Sequence, residues 1–220
     1  MKLGAFDIDS VTDGRFRLDG GAMFGVVPKV LWQTCCQPDE QNRIQLGLNC
    51  LLLKAHGKNI LVDTGIGDKA DAKFRNMFAV ERIPTLRDTL KARGLRPEDI
   101  HMVINTHLHF DHAGGNTVRE DDQVVATFPR AKYFVQRGEF EDAARANERT
   151  RVSYRRENFT PIAHVDIATA ELLLIPPSTK RGDSPRAHHA SPSRSSSSSR
   201  SRSTLRTARS RRSEGCALGY

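Results

Sequence analysis

Residues 106–115 read THLHFDHAGG, which places His107, His109, Asp111 and His112 within six positions. Side chains two apart in an extended segment project to the same side, so His107 and His109 can grip one ion together. Asp111 and His112 follow where the chain turns, and can face a second position beside the first. Imidazole and carboxylate donors in combination suit Zn²⁺ or a similar divalent transition metal. A lone histidine is ordinarily structural or merely exposed. Four such donors, packed this densely at the end of an apolar run, point to a metal centre.

A centre of this kind needs rigid elements to hold it. The run DIHMVIN, 99–105, is a short apolar strand that feeds directly into the cluster. Upstream, 43–55 (RIQLGLNCLLLKA) and 59–63 (NILVD) form two strands of a hairpin, with His56, Gly57 and Lys58 as the turn. The second run ends at Asp63 and a glycine-rich loop, Thr64-Gly65 and then Gly67. Residues 84–94 (PTLRDTLKARG) spell a helix: Thr85 caps it, Asp88 follows three positions later, Leu86 and Leu90 share a face, and Gly94 stops it. Downstream come a strand at 131–136, a helix at 139–146 and a strand beginning at 171–175. Gly114 and Gly115 allow close backbone packing and are expected to lead into a helix. His56 and His101 are expected to be exposed, and the charged stretch 145–157 to be a solvated face or loop. The order implies an α/β layered domain with the cluster on the loop leaving a strand.

From Ser178 the character changes. Thirteen of the last 43 residues are serine, and Leu205, Leu218 and Tyr220 are the only large apolar or aromatic side chains. Such a segment cannot bury enough surface to offset its ordering entropy and is expected to be a disordered Arg/Ser-rich tail. Removing its ten basic and two acidic residues from the chain's 34 and 26 leaves 24 of each in 1–177. The net charge of +8 therefore belongs to the tail, and the body carries no net basic charge to extend a polyanion footprint. A nucleic-acid-binding protein working through the tail's phosphate contacts is the alternative function class. Against it stand the neutral body and a tail without a stacking aromatic before Tyr220. The acidic Asp7 and Asp9 interrupt what a signal peptide would keep apolar, and no run approaches the roughly 18 apolar residues of a membrane span. Cys35, Cys36, Cys50 and Cys216 match no C-x-x-C pattern and read as reduced thiols, with Cys50 packed inside. A cytoplasmic protein is the expectation, and no residue pattern speaks to oligomeric state.

The pattern His-x-His-x-Asp-His, with HLHFDHAGGN at 107–116, LDGGAMFGVVPKVLW at 18–32 and ILVDTGIGDK at 60–69, resembles the metallo-β-lactamase superfamily. Within it, the flanking text is similar to lactonase-like hydrolases related to quorum-quenching N-acyl-homoserine lactonases. The resemblance covers roughly 1–177 and implies the family's αββα sandwich, of which 1–177 would be the N-terminal half and an incomplete domain, followed by the tail 178–220. It implies that His107 and His109 hold a first metal, Asp111 and His112 a second, with two Zn²⁺ per complete site. A metal-bound hydroxide would attack a small-molecule lactone or ester carbonyl, and Asp111 would also steer a proton to the leaving alkoxide. Asp63 would orient the histidines from behind; as a bare strand-end turn residue it is read with equal weight. The loop 20–25, with Met23 and Phe24, would line an apolar substrate pocket, with plain core packing as the alternative and the favoured reading for Trp32.

The family's second half would supply a histidine in a Gly-His-Thr context, a bridging aspartate and a last histidine. The later histidines here, His164, His188 and His189, and Asp183 in the tail, stand in none of these contexts. Two protein ligands per ion fall short of the three or four that zinc sites use, so impaired activity and an uncovered, aggregation-prone sheet face are expected. The abrupt switch near 177 reads as a change of reading frame. Sequencing the DNA across codons 175–180 and translating the other frames tests that reading.

Overall fold

In the computed structural model, which describes residues 1–162 and the backbone of 167–170, a short strand β1, Lys2–Leu3, turns back into a long strand β2, Phe6–Asp19. Two short helices follow, α1 at Gly20–Phe24 and α2 at Lys29–Trp32, then strands β3, Arg43–Ala55, and β4, Lys58–Val62. Helices α3, Ala72–Met77, and α4, Leu86–Lys91, precede strand β5, Met102–Ile104. After it come helix α5, Phe110–Ala113, strands β6, Thr117–Glu120, β7, Gln123–Ala126, and β8, Lys132–Gln136, helix α6, Arg137–Ala144, and strand β9, Ile167–Ala170.

One sheet carries the order β1-β2-β3-β4-β5-β8-β9. Its first four strands pair antiparallel, and β4, β5, β8 and β9 run parallel. Strands β6 and β7 form a separate antiparallel ribbon. This is the mixed α/β arrangement expected from the sequence. The β3–β4 hairpin turns where His56 and Gly57 both adopt positive φ, at 49° and 70°. Helix α4 starts on a full capping box: Thr85 Oγ1 accepts from the Asp88 amide at 3.1 Å, and Asp88 accepts from the Thr85 amide at 3.0 Å. Leu86 and Leu90, four apart, then point into the main core beside Leu52, Leu61, Val103 and Tyr133. Gly94 lies just past the helix at φ 71°, a conformation that suits glycine.

Strand β2 escaped the sequence reading because its alternation changes phase midway. Val11 and Asp13 are buried, then a bulge between Thr12 and Arg15 shifts the register, and Phe16 is the next buried residue. Gly14 at the bulge has φ 97°, and a Cβ there would lie 2.1 Å from the Glu81 carbonyl oxygen. The β6–β7 ribbon was also not anticipated. Strand β9 begins four residues before the expected 171–175 strand, which lies outside the described residues, as do His164, Asp183, His188, His189 and the tail. Two further expectations are corrected. Gly114 and Gly115 follow a helix rather than starting one, forming a single 3₁₀ turn before β6. The charged stretch 145–157 is turns and one 3₁₀ start, and part of it packs inward: Tyr154 joins the cluster around Leu108 and Phe159, and the Arg155 guanidinium sits 4.8 Å above the Phe74 ring.

Candidate metal centre

Strand β5 delivers the chain to the site. Leu108, Phe110 and Ala113 are buried at 1, 6 and 0 % exposure and anchor the segment. His107, His109, Asp111 and His112, on the intervening positions, stay partly exposed. Alternation between anchor and donor makes the segment both rigid and chemically available. The His107 ring centroid lies 4.5 Å from that of His109 and 4.1 Å from that of His112. His112 Nε2 is 3.4 Å from Asp111 Oδ2. The structure thus brings all four residues together.

Asp63 stands behind them in a left-handed conformation, φ 60°, at the end of β4. Its Oδ1 accepts from the Thr106 amide at 2.8 Å, and its Oδ2 from Thr106 Oγ1 at 2.8 Å. The same Oδ2 pairs with His112 Nδ1 at 2.9 Å. That bond occupies one ring nitrogen and turns the other, Nε2, toward Asp111. Thr106 Oγ1 also lies 3.1 Å from His107 Nδ1, so one threonine links Asp63 to a second histidine.

Burial disfavours a charged His112, but its bond to Asp63 and the negative charges of Asp111 and Asp63 outweigh this and raise its pKa. His107 shifts the opposite way, lowered by burial and by repulsion from His112 and His109. Burial, together with the charge of Glu139, pushes the Tyr154 hydroxyl beside His109 up to about 12.

Beneath the donors, two adjacent glycines bring backbones into contact. A Cβ on Gly114 would lie 2.0 Å from the Ile66 carbonyl oxygen, and one on Gly115 would lie 2.2 Å from that of Thr64. Thr64 seals the junction, its amide and Oγ1 donating to the His112 carbonyl at 2.7 and 3.1 Å. Asn105 and Asn116, both buried, bridge at 2.9 Å. Lys69 closes the turn from outside: its Nζ donates to the Gly114 carbonyl and, at 2.7 Å, to that of Thr117.

Burial lowers the Lys69 ammonium from 10.5 to about 8. Between those pH values the unfolded chain holds a proton that the folded chain has released, so this residue makes stability rise with pH across that window. Below pH 8 both states are charged and its contribution is constant. Urea unfolding of Lys69→Met is expected to show a flatter stability profile between pH 8 and 10.5 than the native chain. Parallel profiles would remove the assignment.

The donor set matches a divalent transition metal by chemistry: three imidazoles and a carboxylate, with one histidine already fixed by an outer carboxylate. Among the described residues, no three His, Cys, Asp or Glu side chains yet converge on a single point able to hold an ion. The contacts among them are pairwise, His107 with His109, His107 with His112 and His112 with Asp111. Met23 and Phe24 sit in the α1–α2 corner, where Phe24 stacks on Trp32 with centroids 5.0 Å apart and planes at 7°. Trp32 is buried at 4 % exposure, a core residue. No helix among the described residues is long and apolar enough to cross a membrane.

Three side chains at the site were missed by sequence reasoning: Thr106, Glu139 and Tyr154. Thr106 directly precedes His107, and a strand-end threonine beside a histidine was the available signal. Glu139 accepts from the Leu108 amide at 2.7 Å, yet is separated from it by 31 residues and carried no local pattern.

Residues 44–179 match the family model of the metallo-beta-lactamase superfamily. An N-acyl homoserine lactonase of Bacillus cereus is 32% identical over 145 residues, which are 61% of this chain and 52% of that protein. A probable metal-dependent hydrolase from Staphylococcus aureus superposes with a TM-score of 0.67 at 35% identity, over 72% of this chain and 56% of the other. AidC, a dizinc quorum-quenching lactonase solved with a product, superposes with a TM-score of 0.55 at 26% identity, over 72% of this chain and 55% of its own. The chain spans about half the length of the curated relatives it matches. With His-x-His-x-Asp-His gathered at the end of a parallel strand, and the family model covering more than half its residues, the chain belongs to the metallo-beta-lactamase superfamily.

Proposed function

We propose that this chain acts in metal-dependent hydrolysis of a small-molecule lactone or ester, with residues 1–177 corresponding to the N-terminal half of the family domain and 178–220 as a separate tail. The observation that carries the reading is the Asp63–His112–Asp111 chain of contacts beside the His107 and His109 rings. In this reading His107 and His109 hold one divalent ion, Zn²⁺ first among them, and Asp111 and His112 a second. Bound ions of this kind lower the pKa of water toward neutrality and polarise a carbonyl.

The remaining work falls to the chain's own side chains. Asp63 fixes the tautomer and aim of His112 through Nδ1. Asp111, partly exposed next to His112 Nε2, is placed to pass a proton to the alkoxide that leaves when the ester C–O bond breaks. Met23 and Phe24 offer an apolar edge for an acyl chain. The relatives named as N-acyl homoserine lactonases support a lactone as the substrate class. The alternative, a nucleic-acid role through the basic tail, rests on residues outside the described ones.

Elemental analysis of the purified full chain, paired with hydrolysis of a generic lactone, tests the proposal. Zinc uptake and lactone opening that both fall in Asp111→Ala support it, at the weak affinity and slow turnover that two protein ligands per ion predict; a chain that retains no divalent ion and opens no lactone rejects it. Asp63→Ala provides a finer check. It removes the group that aims His112, and divalent-cation affinity is expected to fall about 10- to 100-fold. Calorimetric titration giving an unchanged affinity would assign Asp63 to backbone geometry alone.

A further inference from the structure

His112 is aimed by Asp63, and His107 Nδ1 is in reach of Thr106 Oγ1. His109 is aimed differently. The Tyr154 ring stands edge-on against the His109 ring, with centroids 4.9 Å apart and planes at 68°. The two residues also form an isolated antiparallel bridge, and the Phe110 amide donates to the Ser153 carbonyl at 2.9 Å. Tyr154 is itself tied down by its hydroxyl, which donates to Glu139 Oε2 at 3.3 Å. The other oxygen of that carboxylate, Oε1, accepts from the Leu108 amide, the peptide between the two histidines of the pair. Leu108 is 1 % exposed, so water has little access there and a carboxylate fixes the peptide plane instead.

We propose that Glu139 and Tyr154 are positioning residues for cation binding: one carboxylate sets the peptide joining His107 to His109, and one aromatic ring sets the His109 imidazole. The inference rests on the reading of His107 and His109 as metal ligands and extends it to two residues, one in the first turn of α6 and one in the 145–157 turns. Glu139 and Tyr154 do not touch the ion or substrate. Each acts through a ligand, by limiting the orientations it samples before the cation arrives.

The test uses the full chain and Co²⁺ as probe, followed by its visible absorption and confirmed by Zn²⁺ competition. Tyr154→Leu and Glu139→Ala are each expected to weaken Co²⁺ binding about 10- to 100-fold and to alter the absorption band, as loss of an outer partner does. Glu139→Gln, whose amide oxygen still accepts from Leu108, and Tyr154→Phe, which keeps the ring, should stay close to native. That pattern separates positioning from loss of fold, since urea midpoints of Glu139→Ala and Glu139→Gln are read alongside. A native chain that binds Co²⁺, with Tyr154→Leu and Glu139→Ala unchanged in affinity and spectrum, overturns the inference and leaves the metal reading standing. Equal loss in Glu139→Gln and Glu139→Ala overturns it also. A native chain that binds no Co²⁺ removes the metal reading and this inference together.

Discussion

Replacing Asp13 with alanine is expected to destabilise the fold by about 3–5 kcal/mol, the range for removing one partner of a buried ion pair. Asp13 is fully buried, and both its oxygens are saturated. Oδ1 accepts from Arg82 Nη2 at 2.7 Å and from the Leu86 amide at 2.9 Å. Oδ2 accepts from the Ile66 and Gly67 amides at 3.1 and 2.9 Å, and Arg82 Nε reaches both oxygens at 3.1 Å. Alanine would orphan three backbone donors and a guanidinium whose side chain is only 22% exposed. A cavity of about 120 Å³ adjoins the pair, lined in part by Thr64, Arg82 and Thr127. Water entering it can recover some of the lost bonds, which favours the lower end of the range. Domains of this kind are stable by only about 5–15 kcal/mol in all. Urea denaturation measures the change, and a shift under about 1 kcal/mol would contradict a structural hub here.

The double replacement His107→Ala with His109→Ala is expected to abolish divalent-cation uptake while leaving the fold in place. It removes two of the three clustered imidazoles, so affinity should fall by more than the roughly 100-fold that follows loss of an outer partner alone. Stability should change little, about 1 kcal/mol or less, because both side chains are partly exposed and Leu108 and Phe110 carry the packing. Zinc titration and urea unfolding on the same sample separate the two effects. Undiminished zinc uptake would reject the metal assignment, and collapse of the fold would recast the histidines as core residues.

The clustering of His107, His109, Asp111 and His112 was readable because these residues are adjacent in sequence and their chemistry is distinctive. Helix α4 was equally plain, its cap, acidic third position and terminal glycine all falling within ten residues. What stayed hidden depends on contacts that sequence spacing does not encode. Asp13 looks like one more acid in a polar strand; only the bulge at Gly14 and the approach of residues 66, 67, 82 and 86 reveal a buried charge. Strand β2 was lost for the same reason, since a phase change destroys the period-two signal that identifies a strand. Tyr154 sits among arginines that suggested solvent, and its inward turn is set by bridging to His109. Asp63 was noticed but read two ways, because a strand-end aspartate and an outer partner of a histidine look identical until the 2.9 Å contact is seen.

The close approach of Gly114 and Gly115 to the carbonyls of Ile66 and Thr64 also bears on how mutations far from the centre will be felt. Backbones touching without intervening side chains have no soft layer to absorb displacement, so the donor turn and loop 64–67 must shift as one body. Asp13 grips that loop through two amides, which makes a strand-two carboxylate a lever on the imidazoles. Under the proposed metal reading, selection for cation chemistry would press on a residue nearly a hundred positions upstream of the groups that perform it.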